Sequence, residues 1–475
     1  MASKKRSLAL LDLHISRRVL LRKLIPTTLA VAILPRARVP RLYAQTEPMK
    51  GTGTMKVFIP SFSVNERDRR WQAARAVMAK PQWNLDAITN AGSSDRDYCR
   101  YLTQIGGRGG TAQFVFPRDA AKPVQAFPGA GRNKTFWEKR LSSWTADGKL
   151  ILADGDGSES ILKAMRSLGL DKAGTRIGVV KLTGSRFDPE GLVSVTVMEN
   201  LKAALPGAVF LPIEKWGVDA GPIDEPAMVK SPEEHEAIRA CVAAGEKAIE
   251  TLRQGARPPA KTQADIWFAA YTTMLAETGE DPIRLSISLD APANSTLGAP
   301  VGDPLEPGQI ISQEIDASVQ GYRAQVNHSI FVGGASTPGF DYYKAAMELA
   351  IKVLHDSLAF IVPGKTTCGQ LVDHYAQLVE KMNAEDRSGV VLHSSGIGNL
   401  SRPRLGPANS RGDEGIVIVP GMTFDFKPAI RLRREVLRDA RGQNRTVQIG
   451  EHVLITEKGF VRLGKRDLKP LTTEA

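Results

Sequence analysis

The chain has 475 residues, 42% hydrophobic and 24% charged, a balance ordinary for soluble globular proteins, with length for two or three domains. Its net charge of +12 would suit a nucleic-acid binder, but residues 1–45 hold ten Lys/Arg against the single acid Asp12. That leaves +3 for the remainder and no basic stripe for a phosphate backbone. Three widely separated cysteines, Cys99, Cys241 and Cys368, argue against a disulfide framework and sit at no metal-finger spacing.

The chain opens with Ser16-Arg17-Arg18-Val19-Leu20-Leu21-Arg22-Lys23, followed by an apolar run over 24–34. A bilayer span takes about 20 apolar residues, so this run is too short to cross one comfortably. The order is basic, then apolar, then a small-residue exit at Tyr43-Ala44-Gln45, which is the grammar of a signal peptide. The paired arginines resemble a twin-arginine signal. Residues 1–44 are therefore expected to be a leader cleaved near Ala44, giving a bacterial protein that is periplasmic or otherwise exported and has no stable membrane anchor after cleavage. A disordered basic leader or an uncleaved anchor is the alternative.

Residues 57–59 have the composition of a strand, and 65–79 that of a helix with Trp71, Ala74, Val77 and Met78 near helical spacing. A short helix is expected over 95–105, then the run Gly106-Gly107-Arg108-Gly109-Gly110, then a strand over 112–116. The glycine run follows no strand and leads into no GKS/T, so it reads as a turn rather than a phosphate cradle. Strands at 150–152 and 176–180 with a helix at 158–168 between them point to an α/β layer domain. The proline- and glycine-rich stretch 212–226 reads as a linker, closing an N-terminal domain of 45–226 and opening a second of 227–475.

Ser231-Pro232-Glu233-Glu234 opens the next helix, with a serine N-cap, proline in the first turn and a capping-box glutamate. Ile238, Cys241, Val242, Ala248 and Ile249 form its apolar stripe, and Gly245 on that stripe permits close packing. A second helix runs over 263–278 from its cap at Thr262. Residues 308–333 form a hairpin turning at 319–321. Glu314 and Asp316 share a face of the first strand, and Gln325 and Asn327 a face of the second. Ile310, Ile311, Ile315, Ile330, Phe331 and Val332 anchor the pair in a core. Polar groups set between such runs are costly to bury unless paired. Helices follow near 342–360 and 369–382, whose His355 and His374 read as ordinary surface or core histidines. Strands follow at 389–392, 422–427 and 453–456, and the tail after Lys465 is expected to be loose.

Several landmarks then fall in one order. Met228-Val-Lys-Ser-Pro-Glu-Glu-His-Glu-Ala-Ile-Arg resembles the linker and first helix of the creatinase / Xaa-Pro aminopeptidase family. Leu305-Glu-Pro-Gly-Gln, Gly321-Tyr322, Phe331-Val332-Gly333, Ser395-Gly396-Ile397-Gly398, Pro420-Gly421-Met422, Lys427-Pro428 and His452-Val-Leu-Ile-Thr-Glu-Lys-Gly continue the likeness. Tyr98, Tyr101-Leu102-Thr103 and Arg176-Ile-Gly-Val fit the family's N-terminal domain. The resemblance covers essentially all of 55–463. It implies an α/β (α+β) protein, a creatinase-like α/β domain followed by a C-terminal pita-bread domain, and frequent dimerisation. In such a homodimer Arg100 or Arg108 would be candidates to reach a substrate.

Peptidases of this family hold divalent ions with two Asp, one His and two Glu. Laid onto this chain, those places become Glu314, Gln325, Ser395, Lys427 and Gly450, with Glu451 one residue away. The family's assisting His falls near Thr296–Leu297, and its later His-Glu at Arg402-Pro403. A slip of one to recruit Glu451 turns the side chain to the other face. A slip of two recruits Asp316 but pairs it with Asn327. The resemblance thus implies no dinuclear centre and no cofactor, a divalent metal being the alternative. Glu314 and Lys427 are expected to pair in place of metal and carboxylate. The expected site comprises Glu314, His328 and Lys427 as catalytic groups, with Gln325, Ser395, Arg402, His393 and Arg431 around the substrate. Glu314 or His328 would serve as general base, and Asp425 and Arg431 would support Lys427. The function so implied is hydrolysis of a C–N bond in a small molecule or short peptide-like substrate without metal. The alternatives are a ligand-binding pseudoenzyme and an Xaa-Pro peptidase with an atypical metal site.

Overall fold

The computed structural model describes residues 62–474, apart from 93–96, 107–111, 130, 184–190, 215–220, 292–300, 398–401 and 409–411. The expected leader, the strand at 57–59, Arg108 with most of its glycine run, Thr296–Leu297 and Gly398 lie outside the described residues.

The first part begins with the helix Val64–Met78, whose Ser63 cap accepts from the Glu66 amide. Six short strands follow: β1 (Ala87–Thr89), β2 (Gln113–Pro117), β3 (Val124–Phe127), β4 (Leu150–Leu152), β5 (Arg176–Val179) and β6 (Val209–Pro212). They make one mixed sheet in the order β4-β3-β2-β1-β5-β6. Helix Gly157–Ser167 lays Ile161 and Met165 on it, while Trp71 and Trp144 are buried beside Phe116.

The second part opens with helix Pro232–Gly255. Its capping box at Ser231 and Glu234 forms as the sequence implies. Helix Gln263–Thr278 starts from a second box at Thr262 and Asp265 and ends at Gly279 in the left-handed region. Then come β7 (Arg284–Leu289), β8 (Ile310–Val319), β9 (Tyr322–His328) and β10 (Ile330–Phe331). Helices Phe340–Ala359 and Cys368–Lys381 precede β11 (Ala384–Asp386), β12 (Leu392–Ser394), β13 (Arg404–Leu405), β14 (Thr423–Phe426) and β15 (Ala429–Leu432). The chain closes with β16 (Val447–Thr456), β17 (Gly459–Arg462) and β18 (Leu471–Thr472). The long path of this twelve-stranded sheet is β13-β12-β14-β16-β9-β8-β10-β18, with β7 added on β8.

The hairpin turns where expected. Gln320 and Gly321, with φ of 56° and 81°, form a two-residue link of the kind that matches strand twist. Side-chain parity then gives the sheet two unlike faces. Ile315, Ala317, Ala324 and Val326 face helix Pro232–Gly255. That helix comes so close that a Cβ at Gly245 would meet Val326 Cγ2 at 2.6 Å. Phe424, Phe426 and Val453 pack under helices Phe340–Ala359 and Cys368–Lys381. The opposite parity carries the polar residues. The tail after Lys465 is tied down rather than loose. β18 pairs with β10, and the Arg466 guanidinium bonds Glu246 Oε1, Glu451 Oε1 and the carbonyls of Asn327 and Gly450. That many acceptors fix a terminal segment which composition alone marks as polar and free.

Candidate active site

The inward-facing polar strip crosses five neighbouring strands. β12 supplies His393 and the residue just after it, Ser395. β14 supplies Thr423, Asp425 and, just past its end, Lys427. β16 supplies Gly450 and His452, β9 supplies Arg323, Gln325 and Asn327, and β8 supplies Glu314 and Asp316. The register sets His393 and His452 on either side of Asp425, and Gln325 opposite Asp316. All but Gly450 are polar residues no more than 4% exposed.

Glu314 and Lys427 form the expected pair, Oε1 to Nζ at 2.8 Å. Arg284 of β7 takes the other oxygen at 2.7 Å. Burial would raise the Glu314 carboxyl, but the charges of Lys427 and Arg284 and their hydrogen bonds outweigh it and bring the pKa down to about 2. Lys427 Nζ also donates to Gln325 Oε1 at 3.2 Å. The same amide oxygen faces His393 Nε2 at 2.7 Å, while Gln325 Nε2 donates to Asn327 Oδ1 at 3.3 Å. Asn327 in turn donates to the Gln313 carbonyl at 2.7 Å. Gly450 makes room for it, since a Cβ there would come within 2.5 Å of Asn327 Oδ1.

His393 Nε2 also lies 3.5 Å from Asp425 Oδ2. Burial, with Lys427, Arg404 and Arg323 nearby, holds the imidazole well below its usual range. Burial pushes Asp425 well above the usual carboxyl range. Lys427 opposes that rise, and Asp316, Glu314 and Glu451 add to it. The two environments leave a neutral carboxylic acid beside a neutral imidazole, a division of labour suited to acid–base work. Neither oxygen of Asp425 has a hydrogen-bond partner, nor do the hydroxyls of Ser395 and Thr423. Asp316 is balanced by Arg323 at 3.3 Å.

Of the eight expected residues, Glu314, Lys427, Gln325, His393 and Ser395 therefore lie on one face, and three are placed elsewhere. His328 has the parity of Val326, not of Gln325. It lies on the opposite face, where Nε2 meets the Lys469 carbonyl at 2.8 Å and Arg466 Nε reaches Nδ1 at 3.3 Å. Burial and the Arg466 charge hold its pKa down to about 3, so it is neither placed nor poised to be the base. Arg402 bonds Asp413 at 2.7 Å, and Arg431 bonds Glu385 at 2.9 Å across β11 and β15. Neither arginine is among the partners of Lys427, so Arg431 does not support it as expected. Arg100 reaches Glu280, whose other oxygen holds the Gly321 amide at the hairpin tip.

Arg284 and His452 had no part in the expected site. Strand β7 was not anticipated from sequence, although Leu285, Ile287 and Leu289 alternate there with Arg284, Ser286 and Ser288. His452 lay in a recognisable closing strand, and its even offset from Gly450 already set it on the inward face.

Divalent ions do not suit the donors at the positions where the resemblance puts them. A fixed ammonium stands between Glu314 and Gln325, and an ion there would meet Lys427 at contact distance. Among the described residues, no group of three or more His, Cys, Asp or Glu side chains is gathered as a metal would require.

Comparison with known proteins agrees with the fold. Residues 234–457 match the model of metallopeptidase family M24. Among curated proteins, the chain is 26% identical over 250 residues to dimethylsulfoniopropionate lyase DddP of Roseovarius nubinhibens, covering 51% of this chain and 53% of that one. It is 25% identical over 174 residues to methionine aminopeptidase of Chlamydia pneumoniae, covering 34% of this chain and 57% of that one. The matches thus span little more than half the length of these curated relatives. Among solved structures, X-Pro aminopeptidase from Thermotoga maritima superposes with a TM-score of 0.64 at 16% identity, over 84% of this chain and 99% of that one. That likeness is one of fold, the pita-bread architecture with its N-terminal α/β part.

Proposed function

Since the chain belongs, through residues 234–457, to metallopeptidase family M24, we propose that it is a hydrolase of that architecture that cleaves a C–N bond without a metal ion. Its substrate is a small molecule or a short peptide-like compound. The observation that carries this reading is Lys427, whose ammonium lies 2.8 Å from Glu314 and 3.2 Å from Gln325. It brings an ammonium group to the centre of the inward face.

The residues divide the work as follows. Lys427 stabilises the negative charge that develops on the substrate's carbonyl or amidine heteroatom. Glu314, at a pKa of about 2, is a poor proton acceptor near neutrality and serves to hold Lys427 in place with Arg284. Asp425, as a carboxylic acid, gives its proton to the departing nitrogen as the C–N bond breaks. Its carboxylate then takes the proton of the water whose oxygen forms the C–O bond, which closes the cycle, and neutral His393, 3.5 Å away, orients that water. This reading includes export through the twin-arginine-type leader, action as a homodimer and no nucleic-acid partner.

The test is a screen of N-substituted small molecules and Xaa-Pro peptides with chelator-treated protein, using Asp425→Asn and Lys427→Met as controls. Turnover that survives chelation and is lost in both variants supports the proposal. Turnover that only added metal restores overturns it. A second reading, a ligand-binding pseudoenzyme, is favoured by one observation. Both oxygens of Glu314 are taken, by Lys427 and by Arg284, as a site with no reaction to perform would allow. Tight binding without turnover across the screen would select it.

A further inference from the structure

Buried polar groups are almost always hydrogen-bonded, so those that are not call for a reason. On the inward face both oxygens of Asp425 and the hydroxyls of Ser395 and Thr423 lie together, fully buried and with no hydrogen-bond partner, and so do the two ring nitrogens of His452 opposite Asp425. They come from adjacent strands. Thr423 and Asp425 share one face of β14, and the Ser395 amide faces the Thr423 carbonyl at 3.4 Å. Elsewhere on this face the carboxylates are balanced. Glu314 has Lys427 and Arg284, and Asp316 has Arg323. Asp425 differs, since among the described residues its only ion-pair partner within 4 Å is His393, which is neutral. The place therefore holds several acceptor atoms without donors. A protonated amine supplies N–H groups for Asp425 and for the two hydroxyl oxygens.

We infer that the cluster of Asp425, Ser395 and Thr423 opens into a pocket that receives the nitrogen side of the scissile bond and holds it, once released, as a small alkylammonium ion. This rests on the reading of the inward face as a C–N hydrolase site. It adds the direction in which the substrate lies, with the carbonyl side toward Lys427 and the amine side toward Asp425. A product amine protonated by Asp425 leaves a carboxylate facing an ammonium, the complement that the free protein lacks. It also follows that the amine product competes with substrate.

The experiment is calorimetric titration of the purified full chain at neutral pH with ethylammonium chloride, set against acetamide and sodium acetate, with no turnover required. Saturable binding of ethylammonium, weaker by about tenfold or more in Asp425→Asn and by a few fold in Ser395→Ala and Thr423→Val, is the expected result. Thermal unfolding of each variant distinguishes loss of the pocket from loss of the fold, and Ser395→Ala and Thr423→Val serve where Asp425→Asn does not fold. Absence of ethylammonium binding, preference for acetate or acetamide, or equal binding by all the variants overturns the inference. Chelator-sensitive turnover with ethylammonium binding intact would instead overturn the metal-free reading and leave the pocket standing.

Discussion

Glu314 shows how charge and burial compete at a single residue. Taking a carboxylate out of water costs several kcal/mol, and two cations at 2.7 and 2.8 Å restore it. Truncating one partner leaves the other buried and uncompensated. Glu314→Ala and Lys427→Met are each expected to lower unfolding free energy by about 3–5 kcal/mol, read as the shift in urea midpoint. Full stability in Glu314→Ala would show the pair to be ornamental. The pH dependence has a definite sign. The folded pKa of about 2 lies below the ordinary 4.5, so the stabilisation is fully present above about pH 4.5 and is lost as pH falls toward 2. The displacement is worth on the order of 3 kcal/mol. Urea titrations at pH 6 and pH 3 should therefore converge for wild type and a Glu314→Gln/Lys427→Met double variant. Parallel loss in both would refute the linkage.

At the scale of elements, the hairpin and its turn were legible in the sequence, because strand parity and a Gln-Gly turn are local signals. The same parity rule places His328 on the far face, so that residue was misassigned against information already present in its odd offset from Gln325. Arg402 and Arg431 are different cases. A long side chain on a loop or edge strand can reach in many directions, and only the placement of Asp413 and Glu385 decides where each one ends. The pairing of Glu314 with Lys427, 113 residues apart, became legible only when the resemblance aligned β8 with the end of β14. The turn itself offers a test. Gly321 has φ of +81°, and a Cβ there would lie 2.5 Å from Arg100 Cδ. Gly321→Ala is expected to cost about 1–3 kcal/mol, through backbone strain and displacement of Arg100 from Glu280. An unfolding midpoint within error of wild type would contradict the crowding at this turn.

Across the whole molecule, a buried ionic cluster joins the N-terminal helix Val64–Met78 to the central hairpin. Glu234 receives Arg69 at 2.6 Å and the Tyr322 hydroxyl at 2.5 Å, and Arg70 bonds Glu66 at 2.6 Å. The Arg70 guanidinium lies over the rings of Phe62 and Tyr101, 4.3 and 4.9 Å from their centroids. Glu234 also closes the capping box of helix Pro232–Gly255, so one residue serves the cap, the hairpin and the N-terminal helix. Glu234→Gln keeps the shape and removes the charge. It is expected to destabilise the chain by about 2–4 kcal/mol and to expose the first helix to faster hydrogen exchange. Unchanged exchange over 64–78 would mean that the cluster does not couple the two regions.

The central claim is that a lysine ammonium has taken the place of a metal centre in an M24 fold. Elemental analysis of the folded protein after dialysis against manganese, cobalt and zinc tests it most directly, with Lys427→Glu analysed alongside. The account predicts no stoichiometric divalent metal in the wild-type protein. Stoichiometric metal in the wild type, removed by chelator together with hydrolytic activity, would contradict it.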